Sequence, residues 1–128
     1  MNTGDLAKYY GGGRIGIGLL LLLFPGRVLQ GMLGGREAVT PGVKLLSRML
    51  GVRDAILGAG TLAAASAVSS NGGDVRSWLR YSAVADAADA AAMVLAYRHL
   101  PKRKRFAMVA LALSGAATGA YLTTVLDA

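Results

Sequence analysis

Cysteine is absent from this chain, which rules out a disulfide framework, a thiolate metal site and a cysteine nucleophile. There is a single histidine, His99, with no companion ligands around it, so no metal centre is expected and His99 reads as a solvated residue at an interface. Charge is scarce: 16% of the 128 residues are Asp, Glu, Lys or Arg against 54% hydrophobic, and mean hydropathy is positive. With 18 glycines and many alanines added, this is too apolar for a typical soluble domain and fits membrane residence. Long polar linkers are missing too. Nearly every residue belongs to an apolar run or a short connector, so one domain over residues 1–128 is expected.

Aromatic residues make up only 6%, and the basic residues behind the net charge of +7 fall between the apolar runs, without aromatic platforms among them. No nucleic-acid partner is expected from that distribution, which reads instead as topology information. Lys8 and Arg14 precede the apolar stretch from Ile15 to Phe24 in the manner of a signal peptide, but Pro25-Gly26-Arg27 follows without a small-x-small cleavage pattern. The segment is therefore expected to be retained as a first span.

A hydrocarbon core about 30 Å thick needs about 20 helical residues. Four stretches approach that length: Tyr9 to Phe24; a helix capped by Thr40-Pro41 with its membrane part at about Leu45 to Ser69; Ser77 to Tyr97; and Phe106 to Leu126. Val28 to Leu33 is expected to continue the first span as an interfacial helix or a bent extension. The fold class is thus all-α, a four-span transmembrane bundle. Arg27, Arg36, Lys44 and Arg48 lie between spans one and two, and Arg98 with Lys102, Arg103, Lys104 and Arg105 lies between spans three and four. Both loops are assigned to the cytoplasm, which leaves both termini extracytoplasmic. Lys102 to Arg105 are also candidate contacts for anionic lipid head groups. Tyr9, Tyr10, Trp78, Tyr81 and Tyr121 then gather at the outer interface, with Tyr97 and Phe106 at the inner one.

Small residues four apart let membrane helices approach closely. Gly12 with Gly16, Gly115 with Gly119, Ala59 with Ala63 and Ala67, and Ala83 with Ala87 and Ala91 fit that pattern, whereas Leu19 to Leu23 is bulky all round and is expected to face lipid or a partner subunit. The least bland residues are Asp86 and Asp89, three apart and hence on one face of span three, where a lipid-facing carboxylate would be very costly. Counting about 1.5 Å per residue puts Asp89 about 12 Å from the end of its span at Tyr97, close to the depth of Arg53 in span two. An Arg53–Asp89 pair follows, with Asp54 or Arg48 joining Asp86, and Arg14 as the weaker candidate for Asp86. The expected intramembrane charged network is therefore Arg48, Arg53, Asp54, Asp86 and Asp89. It acts either as a clasp fixing helix register or as a site that relays protons or holds a polar head group or cation. Gly11-Gly12-Gly13-Arg14-Ile15-Gly16 looks superficially like a phosphate loop but lacks a preceding strand and the Walker lysine.

The stretch Gly51-Val52-Arg53-Asp54-Ala55-Ile56-Leu57-Gly58, a Gly-x-Arg-Asp-x-x-x-Gly core, followed by Asp86 and Asp89 in the next span, resembles small four-helix bacterial integral membrane proteins of unknown function. The resemblance covers most of the chain and implies a four-span bundle in a bacterial inner membrane, with no established activity. No catalytic residue or cofactor is expected. The leading functional expectation is a non-enzymatic accessory or scaffolding subunit, partnered by membrane lipids and by another membrane protein or further copies of itself. The alternative is a small transporter or lipid-binding protein with a polar intramembrane pocket, and an intramembrane enzyme ranks last because no nucleophile, metal cluster or cofactor motif accompanies the aspartates.

Overall fold

The computed structural model describes residues 2–67 and 73–125. The ends assigned from sequence to spans two and four, Ser69 and Leu126, and the Asn71-Gly72 turn lie outside the described residues. Five α-helices account for most of the rest: α1 (Thr3–Leu23), α2 (Pro25–Leu33), α3 (Pro41–Ser66), α4 (Gly73–Leu95) and α5 (Arg105–Val125). Single 3₁₀ turns at Arg36–Ala38 and Tyr97–His99 fill two connectors, and no strand occurs among the described residues. The fold is all-α.

Local chemistry sets the helix ends. Asn2 caps α1, its side-chain oxygen accepting from the Asp5 amide at 2.8 Å, and Thr40 caps α3 by accepting from the Val43 amide at 3.2 Å, with Pro41 as the first helical residue. Pro25 ends α1 and starts α2, which turns away by 98°. Gly34, at φ 87°, closes α2 in the left-handed conformation that glycine adopts without strain.

α1 and α3 lie antiparallel with their backbones in contact. A Cβ placed on Gly18 would sit 2.5 Å from the Gly51 carbonyl oxygen, and one on Gly11 would sit 2.8 Å from that of Gly58, so the helices touch wherever these four glycines meet. The pairs are seven residues apart on each helix, two turns along one face. This corrects the four-residue spacing expected from sequence: Gly12 and Gly16 face open space, and Ala59, Ala63, Ala67, Ala87 and Ala91 are exposed. Gly115 and Gly119 do lie at a contact, between α5 and α4, where Gly119 approaches Ala83 and Gly115 approaches Asp86. Trp78 of α4 lies flat against Gly60 of α3, with no room there for a Cβ.

Polarity is distributed inside out. Among the described residues Ala7, Pro25, Val75, Leu79, Ala90 and Leu122 are buried apolar side chains, and Arg14, Ser47, Thr61, Ser82, Asp86 and Thr123 are buried as well. Large apolar side chains face outward all along the helices, among them Leu19, Leu20, Leu23, Leu46, Met49, Ile56, Val84, Leu95, Phe106 and Leu111. By length and composition α5 is, among the described residues, the one helix apolar enough to cross a membrane by itself, and α1 with α2 qualifies as a bent pair. α3 and α4 fall short because they carry Lys44, Arg48, Arg53 and Asp54, and Asp74, Arg76, Arg80, Asp86 and Asp89.

Candidate functional site

The register of α1 on α3 brings two matching patterns together. Along α1 the buried positions are Ala7, Gly11, Arg14 and Gly18; along α3 they are Ser47, Gly51, Gly58 and Thr61, with Asp54 largely covered between the two glycines. Both sequences space one charged residue between two glycines, so closing the backbones sets Arg14 beside Asp54. Arg14 Nη2 lies 2.8 Å from Asp54 Oδ1.

From there Arg14 reaches α4. Its Nη1 donates to Asp86 Oδ2 at 2.6 Å and its Nη2 to Asp86 Oδ1 at 2.9 Å, a two-pronged pair in which the planar guanidinium matches the carboxylate. Tyr10, one turn before Arg14, accepts from Nη1 at 3.0 Å and donates to Asp86 Oδ2 at 3.4 Å. Arg53 makes a second two-pronged pair with Asp89, at 3.0 and 2.6 Å, and donates to Asp54 Oδ1 at 3.2 Å. Asp54 Oδ1 is therefore shared by both arginines and joins the two pairs into one network. α5 contributes by having no side chain where one would collide: a Cβ on Gly115 would lie 3.0 Å from Asp86 Oδ2, and one on Gly119 would lie 3.1 Å from the Tyr10 hydroxyl.

Arg48 does not belong to this network. It is exposed and donates to the Leu22 carbonyl of α1, because its place on α3, one residue past the inward-facing Ser47, turns it toward the side of that helix pair. Arg14 takes the position facing Asp86 that sequence reasoning gave first to Arg48 or Asp54. The signal for it was present in Gly11-x-x-Arg14-x-x-x-Gly18, the counterpart of Gly51-x-x-Asp54-x-x-x-Gly58. Arg53 and Asp89, by contrast, form the pair that depth counting suggests.

The network forms the floor of a cavity of about 420 Å³ between α1, α4 and α5. Arg14, Asp54, Asp86 and Asp89 lie at its polar end; Ile17, Met93, Met108 and Leu111 supply apolar wall, Tyr9 and Tyr10 stand beside them, and Met32 of α2 reaches in from the end of the bundle. α1 and α5 meet only sparsely, and on α5 Leu111, Ser114 and Thr118 are exposed, so the cavity opens sideways as a cleft between these two helices.

The four basic residues at 102–105 gather at the end of the bundle where α2 turns off. Lys104 donates to the Gly31 carbonyl of α2, the Arg105 guanidinium stacks 4.5 Å from the centre of the Tyr97 ring, and Lys102 and Arg103 are exposed. His99 is exposed as well, and among the described residues no group of three His, Asp or Glu side chains is close enough to hold a metal ion. No protein-family model, curated protein or solved structure matches the chain.

Proposed function

We propose that this is a non-enzymatic, four-span protein of a bacterial inner membrane whose lateral cleft binds a lipid-like molecule, as a binding protein or as part of a transport path. The observation that carries this reading is the cleft itself, an apolar-walled space with an ion-paired floor at mid-helix depth. Ligand sites take this form, mostly apolar with a few convergent polar groups, and in membrane proteins interior charges line such cavities.

Four spans are supported by the inside-out polarity. A water-soluble bundle does not leave Leu20, Leu46, Met49, Leu95 and Leu111 exposed while burying Arg14 and Asp86. The antiparallel helices also collect Arg27, Arg36, Lys44, Arg48, Arg98 and Lys102 to Arg105 at one end, and Tyr9, Tyr81 and Tyr121 at the other. That asymmetry supports a cytoplasmic basic end, extracytoplasmic termini and an α2 that lies in the head-group layer with anionic lipid at Lys102 to Arg105. The absence of cysteine makes the topology simple to test. A single cysteine near Asn2 is expected to react with a membrane-impermeant maleimide on intact cells, and one at Lys102 only after permeabilisation.

The function is tested by native mass spectrometry of the protein taken from its own membrane in nanodiscs, wild type beside Ala112→Trp, which puts a large ring into the cleft. A bound molecule retained by the wild type and missing from the variant is the expected result; equal occupancy in both would sink the reading. The accessory-subunit reading has its own observation, the small exposed faces at Gly12 with Gly16 and Ala87 with Ala91, to which another membrane helix could approach closely. A stoichiometric protein partner in the same spectra would favour it.

A further inference from the structure

The hydrogen-bonding inventory of the cleft is one-sided, and we infer that its ligand carries a protonated amine at the end of an apolar body. This specification rests on the cleft being a binding site. Arg14 has spent both terminal nitrogens on Asp86, Asp54 and Tyr10, and its Nε is buried without a partner, out of a ligand's reach. Arg53 does not line the cleft. The Ser114 and Thr118 hydroxyls donate within α5, each at 2.7 Å, to the carbonyls of Leu111 and Ser114. The Tyr10 hydroxyl proton faces Asp86. Every donor that a ligand could reach at the polar end is thus committed.

What remains is acceptors. Asp54 lines the cleft, and its Oδ2 accepts no hydrogen bond among the described residues, since both arginines bind Oδ1. Ser114 and Thr118 also line the cleft, and hydroxyls that donate within the helix keep acceptor capacity on their oxygens. Charge points the same way: three carboxylates, Asp54, Asp86 and Asp89, stand against two guanidiniums, Arg14 and Arg53, which leaves one negative charge uncompensated when all five are ionised. A carboxylate or phosphate entering the cleft would meet an excess of its own sign at the polar end, with the hydroxyl of the exposed Tyr9 as the donor left to it. An ammonium group finds Asp54 Oδ2 to accept its protons, with the rings of Tyr9 and Tyr10 beside it. The rest of the ligand lies along Met93, Met108 and Leu111, where unbranched methionines adapt to varied apolar shapes.

The head group could belong to a free amine or to an amine-headed phospholipid, and one experiment separates them. The protein is reconstituted in phosphatidylcholine nanodiscs, and saturable binding of octylammonium, octanoate and octanol above that of empty discs is measured by equilibrium dialysis. Octylammonium is expected to bind about tenfold or more tighter than the other two, with Asp54→Asn removing about tenfold and Asp54→Glu retaining most of the affinity. Ala112→Trp, which leaves the network intact, is expected to abolish binding and stands in if Asp54→Asn does not fold. Phosphatidylethanolamine added to the discs competes if the natural source is a lipid head group and has no effect if it is a free amine; both results keep the amine. Octanoate or octanol binding as tightly, and blocked by Ala112→Trp, overturns the amine while keeping the cleft as a binding site. No saturable binding of any probe overturns both.

Discussion

α1 is closed on one side and open on the other. Toward α3 it presents Gly11 and Gly18, and the two backbones meet with nothing between them; toward α5 it presents Tyr10, Gly13 and Ile17, and a cavity remains. Arg14 stands at the border, touching Asp54 on the closed side and Asp86 across the cleft floor. If the bundle sits in lipid, as proposed, apolar association supplies no drive between helices, and close packing and interhelical hydrogen bonds must hold it together. The glycine seam uses the first and the network the second, and only the networked side leaves space for a ligand.

Removing Arg14 should do most damage, because it strands charge on both sides of that border. Arg14→Met leaves Asp86 buried and unpaired, and loss of one partner of a buried pair costs about 3–5 kcal/mol. Thermal unfolding in mild detergent is expected to show a large drop in midpoint or no folded protein; a near-normal midpoint would mean that Asp86 is solvated or protonated there. The seam should come next. In Gly18→Leu the Cβ alone would fall 2.5 Å from one backbone oxygen and 2.6 Å from the Ala55 nitrogen, neither of which can rotate away. A loss near 3 kcal/mol, the upper end of overpacking, is expected by the same measurement.

The outer ion pair provides a smaller and more diagnostic perturbation. Arg53 and Asp89 are each about one-third exposed, at 32% and 31%, where the buried pair is at 8% and 12%. Asp89→Asn is expected to cost about 1 kcal/mol, typical of a polar contact between membrane helices. Neutralising Arg53 as well, as Arg53→Gln, should recover part of it. An undiminished sum of the two single effects would mean that Arg53 acts through Asp54 instead of Asp89.

The same contrast explains what the sequence made legible. The all-α class, the Thr40-Pro41 helix start and the bend after Phe24 follow from short-range chemistry, and the structure has all three. Depth counting found Arg53 and Asp89 because two charges at equal height on neighbouring antiparallel helices have few other partners. It gave Asp86 the wrong first choice because depth along a helix says nothing about direction around it: Arg48 is turned away, while Arg14 shares a stripe with Gly11 and Gly18. The seam was missed for a related reason. A four-residue search picks out Gly12 and Gly16, but a seam followed over two turns returns to the same face after seven residues, the spacing of Gly11 with Gly18 and Gly51 with Gly58. The cleft has no local signature at all, since it depends on how sparsely α1 meets α5.

Adjacent glycines give the finest test of the two-sided helix. Gly11 and Gly12 share composition, neighbours and depth, so any helix-propensity gain from alanine should be nearly equal at both, on the order of 0.5–1 kcal/mol. At Gly12 nothing stands within 4 Å of the added methyl, and Gly12→Ala should keep that gain as a slightly raised unfolding midpoint. At Gly11 the methyl meets the Gly58 oxygen at 2.8 Å and the Leu62 nitrogen at 3.0 Å, so Gly11→Ala should lower the midpoint. Opposite signs at neighbouring residues cannot come from backbone entropy, which acts alike on both, and would locate the seam to within one residue. Equal signs would mean that α1 is rotated about its axis from the orientation described here, and that Arg14 and the cleft floor have turned with it.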